Sequence, residues 1–125
     1  MERYRFGEID VVVRLELPRL SVVDLEVSPG VVAPAHRHAG ADEVFLGVEG
    51  VLRVTVDGRE VVLEPGSAVT ATGGQAHGFS TEDGAARATV IYAPGEFLGY
   101  FRDAALATTP EEFDEVLRRW DVHAA

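Results

Sequence analysis

The 125-residue chain contains no cysteine, no lysine and no asparagine. The absence of cysteine excludes disulfides, thiolate metal sites and cysteine nucleophiles. The absence of lysine excludes Schiff-base catalysis, pyridoxal-phosphate chemistry and a phosphate-loop lysine, and the absence of asparagine excludes N-glycosylation. All eleven basic residues are arginine, and this bias, with plentiful alanine, favours a GC-rich bacterial source.

Long apolar runs and basic clusters are missing as well. The first ten residues alternate charged and apolar side chains, which does not resemble a signal peptide. No window approaches the roughly 20 apolar residues of a membrane-spanning helix. The formal charge of −10 would repel nucleic-acid phosphates. We therefore expect a cytoplasmic protein that binds neither a membrane nor nucleic acid.

Short valine-rich segments, separated by glycine and proline, dominate residues 9–93. Asp57-Gly58, between two alternating runs, is typical of a two-residue hairpin turn. No helical pattern separates the segments, so they predict an antiparallel sandwich or barrel. The predicted strands cover residues 11–17, 21–27, 43–48, 51–56, 60–63, 68–71, 77–81 and 87–92.

The hydrophobic period changes after this region. The start of a helix is predicted by three residues: Thr109 as the cap, Pro110 directly after it, and Glu112 three residues after the threonine. An apolar stripe along that helix is formed by Phe113, Val116, Leu117 and Trp120. Residues 97–106 predict a shorter helix. We expect a β-barrel over residues 1–95 and a helical extension over residues 96–125 that packs on the barrel or on a partner subunit.

Three of the four histidines lie at spacings that suit a metal site. His36 and His38 are two residues apart, so in an extended segment both side chains point to one face. Glu43 can return a carboxylate across a short turn, and His77 can come from a paired strand. Such donors suit divalent iron, manganese, nickel, copper or zinc. An octahedral ion would keep two open positions, whereas tetrahedral zinc would make a closed structural site.

The glycines around these residues complete two motifs. Residues 30–50 fit G-x5-H-x-H-x4-E-x6-G, and residues 66–77 fit G-x5-P-x-G-x2-H with Thr72 in place of the proline. The sequence thus resembles a small single-domain cupin, by motif over residues 30–81. The resemblance implies an all-β fold, a double-stranded β-helix or jelly-roll cupin barrel with one or two C-terminal α-helices. It also implies one divalent transition metal, held by His36, His38, Glu43 and His77.

Strand alternation predicts which side chains surround the metal. The predicted pocket residues are Phe45, Leu52, Val54, Gln75, Phe79 and Tyr92. Arg37, Arg53 and Arg87 have the opposite parity, so charged substrates such as phosphosugars and dicarboxylates would remain unpaired. We therefore expect a neutral, apolar or aromatic small molecule that binds the metal through one or two oxygens.

The resemblance implies a quercetinase-like dioxygenase acting on an aromatic, enol or phenol substrate. Glu43 would be its catalytic residue, ordering the site or moving a proton. The alternatives are a metal-dependent cyclase or isomerase of natural-product metabolism, and a non-catalytic small-molecule-binding protein. Asp42 and Glu49 are candidates for a supporting carboxylate or base, or surface turn residues. We expect His123 to be solvated near a frayed C-terminus.

A homodimer is predicted from two unpaired features. The apolar strand at residues 9–17 would be an exposed edge unless another strand pairs with it. The apolar stripe of the last helix also needs a surface to cover, and a second subunit could supply both.

Overall fold

The computed structural model describes residues 2–125. These residues form eleven strands and three helical segments. The strands are β1 (Arg3–Phe6), β2 (Ile9–Glu16), β3 (Ser21–Val27), β4 (Val32–His38), β5 (Asp42–Glu49), β6 (Leu52–Val56), β7 (Arg59–Leu63), β8 (Ala68–Ala71), β9 (His77–Ser80), β10 (Ala86–Ala93) and β11 (Val122–Ala124). The helical segments are a 3₁₀ turn (Gly95–Leu98), α1 (Gly99–Leu106) and α2 (Pro110–Arg119).

Two antiparallel sheets face each other, as the strand pattern predicted. One has the order β1-β2-β3-β10-β5-β8 and the other the order β11-β4-β9-β6-β7. Strand β10 shows why the sequence folds this way: Ala86, Ala88, Val90 and Tyr92 are buried, and the residues between them are more exposed. This alternation turns one face of the strand toward the space between the sheets. The hydrophobic core fills that space.

Three strands were not predicted. β1 and β11 are short, and β4 contains Pro34 and a register shift against β9, so none has the regular alternation of the valine-rich strands. The expected frayed C-terminus is wrong, because β11 pairs with β4. Val122 lies opposite His38 and Ala124 lies opposite His36. The C-terminal extension therefore returns to the barrel beside two of the candidate ligands.

Of the two features that suggested a dimer, one is covered within the chain and the other only in part. β2 lies between β1 and β3, so it is not the exposed edge that was expected. On α2, Val116 is buried and the Trp120 ring that follows the helix packs against Gly99, but Phe113 remains 37% exposed. The homodimer remains a prediction, and the strand no longer argues for it.

The predicted helix start is confirmed. Thr109 caps α2, because its side-chain hydroxyl accepts a hydrogen bond from the Glu112 backbone N–H at 3.1 Å. Within residues 2–125, neither α1 nor α2 nor the 3₁₀ turn has the length and apolar character needed to cross a bilayer.

Candidate metal centre

Both sheets contribute to a cluster of three histidines and one glutamate. His36 and His77 lie directly opposite each other in the β4–β9 pair. His38 is two residues along β4, and its side chain is buried with that of His77. Glu43, near the start of β5, comes from the facing sheet. The cluster therefore bridges the interior of the barrel, which is possible only because the two sheets pack face to face.

The distances within the cluster suit a metal ion. One donor atom from each of the four residues lies within 4.8 Å of all the others. Glu43 Oε1 is 2.6 Å from His38 Nε2 and 3.0 Å from His77 Nε2. Metal–ligand bonds of about 2.1 Å place neighbouring ligand atoms about 3 Å apart. The donor set of imidazoles and one carboxylate therefore fits a divalent transition metal in both chemistry and spacing.

The pKa values of three cluster residues are shifted from their ordinary values. Burial alone would raise the pKa of Glu43, but hydrogen bonds with His38 and His77 outweigh it and lower the pKa to about 2. Burial also opposes protonation of His77, yet the Glu43 carboxylate raises its pKa. Burial, followed by repulsion from His77, lowers the pKa of His36. The site thus holds an ionised carboxylate in an otherwise apolar interior, where a cation stabilises it.

The ring of His77 is oriented for ligation. Its Nδ1 lies 2.8 Å from the backbone carbonyl oxygen of Gln75. A carbonyl oxygen only accepts hydrogen bonds, so Nδ1 carries a proton, and Nε2 is left to face the cluster. Metal-bound histidines commonly use their second nitrogen in this way. His38 differs: its Nδ1 is buried without a partner in residues 2–125, and its ring packs on Phe97 at 4.5 Å between centroids.

Neither supporting carboxylate proposed from the sequence faces the cluster as a base. Asp42 Oδ1 accepts a hydrogen bond from the backbone N–H of Gly73 at 2.7 Å, so it fastens the turn before His77 to the turn before Glu43. Glu49 forms an ion pair with Arg87 at 2.7 Å on the outer surface. Asp42 therefore helps to position the cluster, and Glu49 lies apart from it.

A cavity of about 500 Å³ opens from the cluster. Aromatic side chains form much of its wall: Phe45, Phe79, Tyr92, Phe97, Tyr100 and Phe101. No arginine is among its lining residues, as strand parity predicted. The wall of the cavity is therefore mostly aromatic and aliphatic, and its basic side chains are histidines.

Only some of the predicted pocket residues line this cavity. Phe45, Phe79 and Tyr92 do so. Leu52 and Val54 point inward as expected but are buried in the core among other side chains, so they do not reach the cavity surface.

Gln75, which was predicted to line the pocket, is not among the residues that line this cavity. Its side chain accepts hydrogen bonds from Thr72 and donates one to Asp57 at 3.1 Å. These bonds hold the amide in the surface turn that precedes His77, outside the cavity. Polar turn residues often bond to their own turn in this manner, and strand parity does not extend into a turn.

The sequence did not reveal that the C-terminal extension contributes to the cavity. Phe97, Tyr100 and Phe101 lie in the segment for which a short helix was predicted, and in the structure all three line the cavity. Phe6 from β1 also lines it and contacts Phe101 at 5.8 Å between ring centroids. The signal available was the unusual density of aromatic residues over 97–101.

His123 lies outside the cluster. It is opposite Arg37 in the β11–β4 pair, one residue out of step with His36 and His38, so its side chain points away from the interior. The side chain is 60% exposed and bonds to Asp121 at 2.6 Å. Its solvation agrees with the expectation, although the strand around it was not foreseen.

Comparison with known proteins assigns the fold to a family. The Cupin_2 family model, described as a cupin domain, matches residues 23–92, more than half of the chain. The chain therefore belongs to the cupin family. Both the two-sheet architecture and the matched segment, which contains all four cluster residues, agree with this assignment.

Several solved structures are similar to this chain. TT1209 from Thermus thermophilus is 30% identical, with a TM-score of 0.67, covering 74% of this chain and 90% of that one. KdgF from Halomonas sp. is 22% identical, with a TM-score of 0.70, covering 75% of this chain and 86% of that one. The DMSP lyase DddQ from Ruegeria pomeroyi is 20% identical, with a TM-score of 0.64, and 72% of this chain covers 51% of it. No curated protein matches the sequence.

Proposed function

We propose that this cupin is a metal-dependent enzyme for a small, uncharged, aromatic or enolisable substrate, and that it acts as a dioxygenase. The observation that carries the proposal is a largely buried His–His–Glu–His cluster at one end of an aromatic cavity whose lining includes no arginine. His36, His38, Glu43 and His77 would hold one divalent ion of iron, manganese, nickel, copper or zinc.

The metal would supply Lewis acidity and a fixed attachment point for a substrate oxygen. The protein contributes the remaining functions. The aromatic wall orients a flat substrate and excludes water from it. Glu43, ionised because its pKa is about 2, has an oxygen within hydrogen-bonding distance of two imidazoles. A carboxylate with so low a pKa is a weak base, so it could take a proton from an enol or phenol hydroxyl only if the bound metal had first made that hydroxyl more acidic.

The dioxygenase reaction needs no external reductant, because both atoms of dioxygen enter one substrate. This matters because the chain has no cysteine thiol that could act as a reductant. An enol or phenol that has lost its proton is electron-rich and supplies the electrons for the new carbon–oxygen bonds. The leading substrates are therefore flavonols and other polyphenols.

A non-oxidative reaction is the second candidate, and the ionised Glu43 favours it. A carboxylate beside two imidazoles can abstract a proton and return it elsewhere, which is sufficient for an isomerase, cyclase or lyase. The DMSP lyase DddQ, whose fold this chain shares, is by its name a lyase. Both candidates use the same cluster, and they differ in whether dioxygen is consumed.

Oxygen uptake separates the two candidates. Protein loaded in turn with each of the five metals would be mixed with a panel of flavonols and polyphenols, while dioxygen and substrate are followed together. Equal consumption of both, with two ¹⁸O atoms in the product, supports the dioxygenase. Substrate conversion without oxygen uptake supports the isomerase, cyclase or lyase. Binding without conversion by any metal form would leave a non-catalytic binding protein, and the enzymatic proposal would be wrong.

A further inference from the structure

A tyrosine hydroxyl group without a partner lies in the cavity. Tyr92 lines the cavity and is only 5% exposed as a residue, and no hydrogen bond joins its hydroxyl to another group within residues 2–125. The hydroxyl is not among the sealed polar atoms without a partner, which in residues 2–125 are represented by His38 Nδ1, so it keeps accessible surface toward the cavity. Tyrosine hydroxyls in such places usually bond to a partner, and here a ligand in the cavity can supply one. Tyr4, by contrast, bonds to the Glu2 carboxylate at the outer surface.

The register of the sheet places this hydroxyl-bearing side chain beside the ligand cluster. Tyr92 lies directly opposite Glu43 in the β10–β5 pair. Opposed residues in antiparallel strands share one face, with Cβ atoms about 5 Å apart. The tyrosine therefore stands next to the carboxylate that contacts His38 and His77.

The aromatic wall fixes the ring of Tyr92. Its centroid lies 5.7 Å from the centroid of Phe97 and 5.7 Å from that of Phe101. These contacts come from the 3₁₀ turn and from α1. A ring held in this way keeps its hydroxyl in place before a ligand binds, so little entropy is lost on forming a hydrogen bond.

Few other polar groups could serve a ligand in this cavity. Apart from the four cluster residues, the lining includes polar side chains from Tyr92, Tyr100 and His123. The His123 side chain points outward, and Tyr100 belongs to α1 rather than to the barrel wall. Tyr92 alone among the three lies opposite a cluster residue in the sheet.

We propose that Tyr92 contacts the substrate directly, donating a hydrogen bond from its hydroxyl to a second substrate oxygen beside the oxygen held at the His–Glu cluster. This inference rests on the proposed function and narrows its substrate class to molecules with two neighbouring oxygens, such as catechols, enediols and 3-hydroxy-4-ketones. Such a molecule offers the hydroxyl an acceptor inside the cavity, and a molecule with a single oxygen does not, so Tyr92 determines specificity.

A pair of matched probes tests the inference without relying on turnover. Zinc-loaded protein has no redox chemistry of its own, so 4-methylcatechol and 4-methylphenol can be titrated calorimetrically in the absence of oxygen. Tyr92→Phe keeps the ring and removes only the hydroxyl. We expect affinity for 4-methylcatechol to fall about tenfold, as for loss of one hydrogen bond. Affinity for 4-methylphenol, which lacks the second oxygen, should stay within about twofold of the wild type.

Two controls accompany the titrations. Zinc content of Tyr92→Phe should equal that of the wild type, because Tyr92 is not a ligand. Tyr4→Phe removes a tyrosine hydroxyl outside the cavity and should leave both affinities unchanged.

The outcomes distinguish this inference from the proposed function. Equal affinities of Tyr92→Phe and wild type for 4-methylcatechol, or equal losses for both probes, would overturn the role of Tyr92 and leave the proposed substrate class standing. Failure of the wild type to bind either probe, both with zinc and with nickel in the absence of oxygen, would overturn the substrate class, and the role of Tyr92 with it.

Discussion

The backbone N–H of Gly74 donates a hydrogen bond to the carbonyl oxygen of His38 at 2.9 Å. This bond joins the glycine turn before His77 to the end of the strand that carries His36 and His38. Together with the bond from Gly73 to Asp42, it ties the two motifs together through the backbone. The distance between ligands that are far apart in sequence is thus set by a turn rather than by the ligands themselves.

The conformation of this turn leads to the first prediction. Gly74 has a φ of +88°, which side chains larger than hydrogen rarely allow. Gly74→Ala should therefore lower the free energy of unfolding by about 1–2 kcal/mol and weaken metal binding, because the turn shifts against His38.

The matched control is Gly66→Ala, with a φ of +89° and likewise no atom near the added Cβ, but away from the cluster. It should lose comparable stability and keep the metal affinity, as measured by urea unfolding and metal titration. Equal metal affinities in the two variants would contradict the role of the turn.

Removing one cluster imidazole should abolish stoichiometric metal binding. We expect His77→Ala to hold less than about a tenth of the metal of the wild type after dialysis, since one of four donors is lost and Glu43 loses a neighbour that stabilises its charge. His123→Ala, which removes an exposed imidazole outside the cluster, should keep near-stoichiometric metal. Plasma mass spectrometry of untagged protein gives the measurement, and circular dichroism confirms that both variants fold. If folded His77→Ala retained the metal, the metal would be bound somewhere other than at this cluster, and the prediction would be wrong.

Two aromatic residues that line the cavity, Phe97 and Phe113, should contribute very differently to the free energy of unfolding. Phe97 is 4% exposed and contacts His38, Tyr92, Tyr100 and Trp120. Phe97→Ala should lower the free energy of unfolding by about 3–5 kcal/mol, as for other large buried rings. Phe113→Ala, at a cavity residue that is 37% exposed, should cost well under half of that. Urea unfolding of the two variants checks this. Similar losses in the free energy of unfolding would contradict the packing described for Phe97.

The contact between α1 and the end of α2 should depend on pH. The Trp120 indole N–H donates a hydrogen bond to the Asp103 carboxylate at 2.8 Å, which together with Arg119 lowers the pKa of Asp103. A carboxyl group with a lowered pKa in the folded state adds stability above its ordinary pKa of about 4 and loses it as pH falls through the folded value. The stability difference between wild type and Asp103→Asn should thus shrink between pH 6 and pH 3 in urea unfolding. A difference that stays constant over this range would show that the ionised form of Asp103 is not responsible.

Local patterns in the sequence were sufficient to predict most strands of the barrel. Valine-rich alternation located the strands that pair on both sides, because a strand buried on one face repeats its apolar residues every second position. The helix beginning after Thr109 was equally accessible, since its cap and its apolar stripe lie within a dozen residues. β4 and β11 were missed, because Pro34 and a bulge interrupt one and the other has only three residues.

The candidate cluster could be anticipated for a different reason. His36, His38 and Glu43 lie within eight residues, and their spacing on a strand and a turn limits where the side chains can go. The direction of a side chain in a turn does not follow from its position along the chain. Gln75 was therefore predicted to line the pocket by a strand rule that does not apply to it. Its amide follows hydrogen bonds within the turn instead of strand parity.

The sequence by itself determined the family, the two-sheet architecture and the residues available to bind a metal, because these depend on periodicity and on motif spacing. Only the tertiary structure decided that the C-terminal aromatic residues close the cavity and that Tyr92 stands beside Glu43 with its hydroxyl unpaired. Such relations depend on strand register and on packing between segments that are about fifty residues apart along the chain. Those contacts are long-range, and no local pattern encodes them.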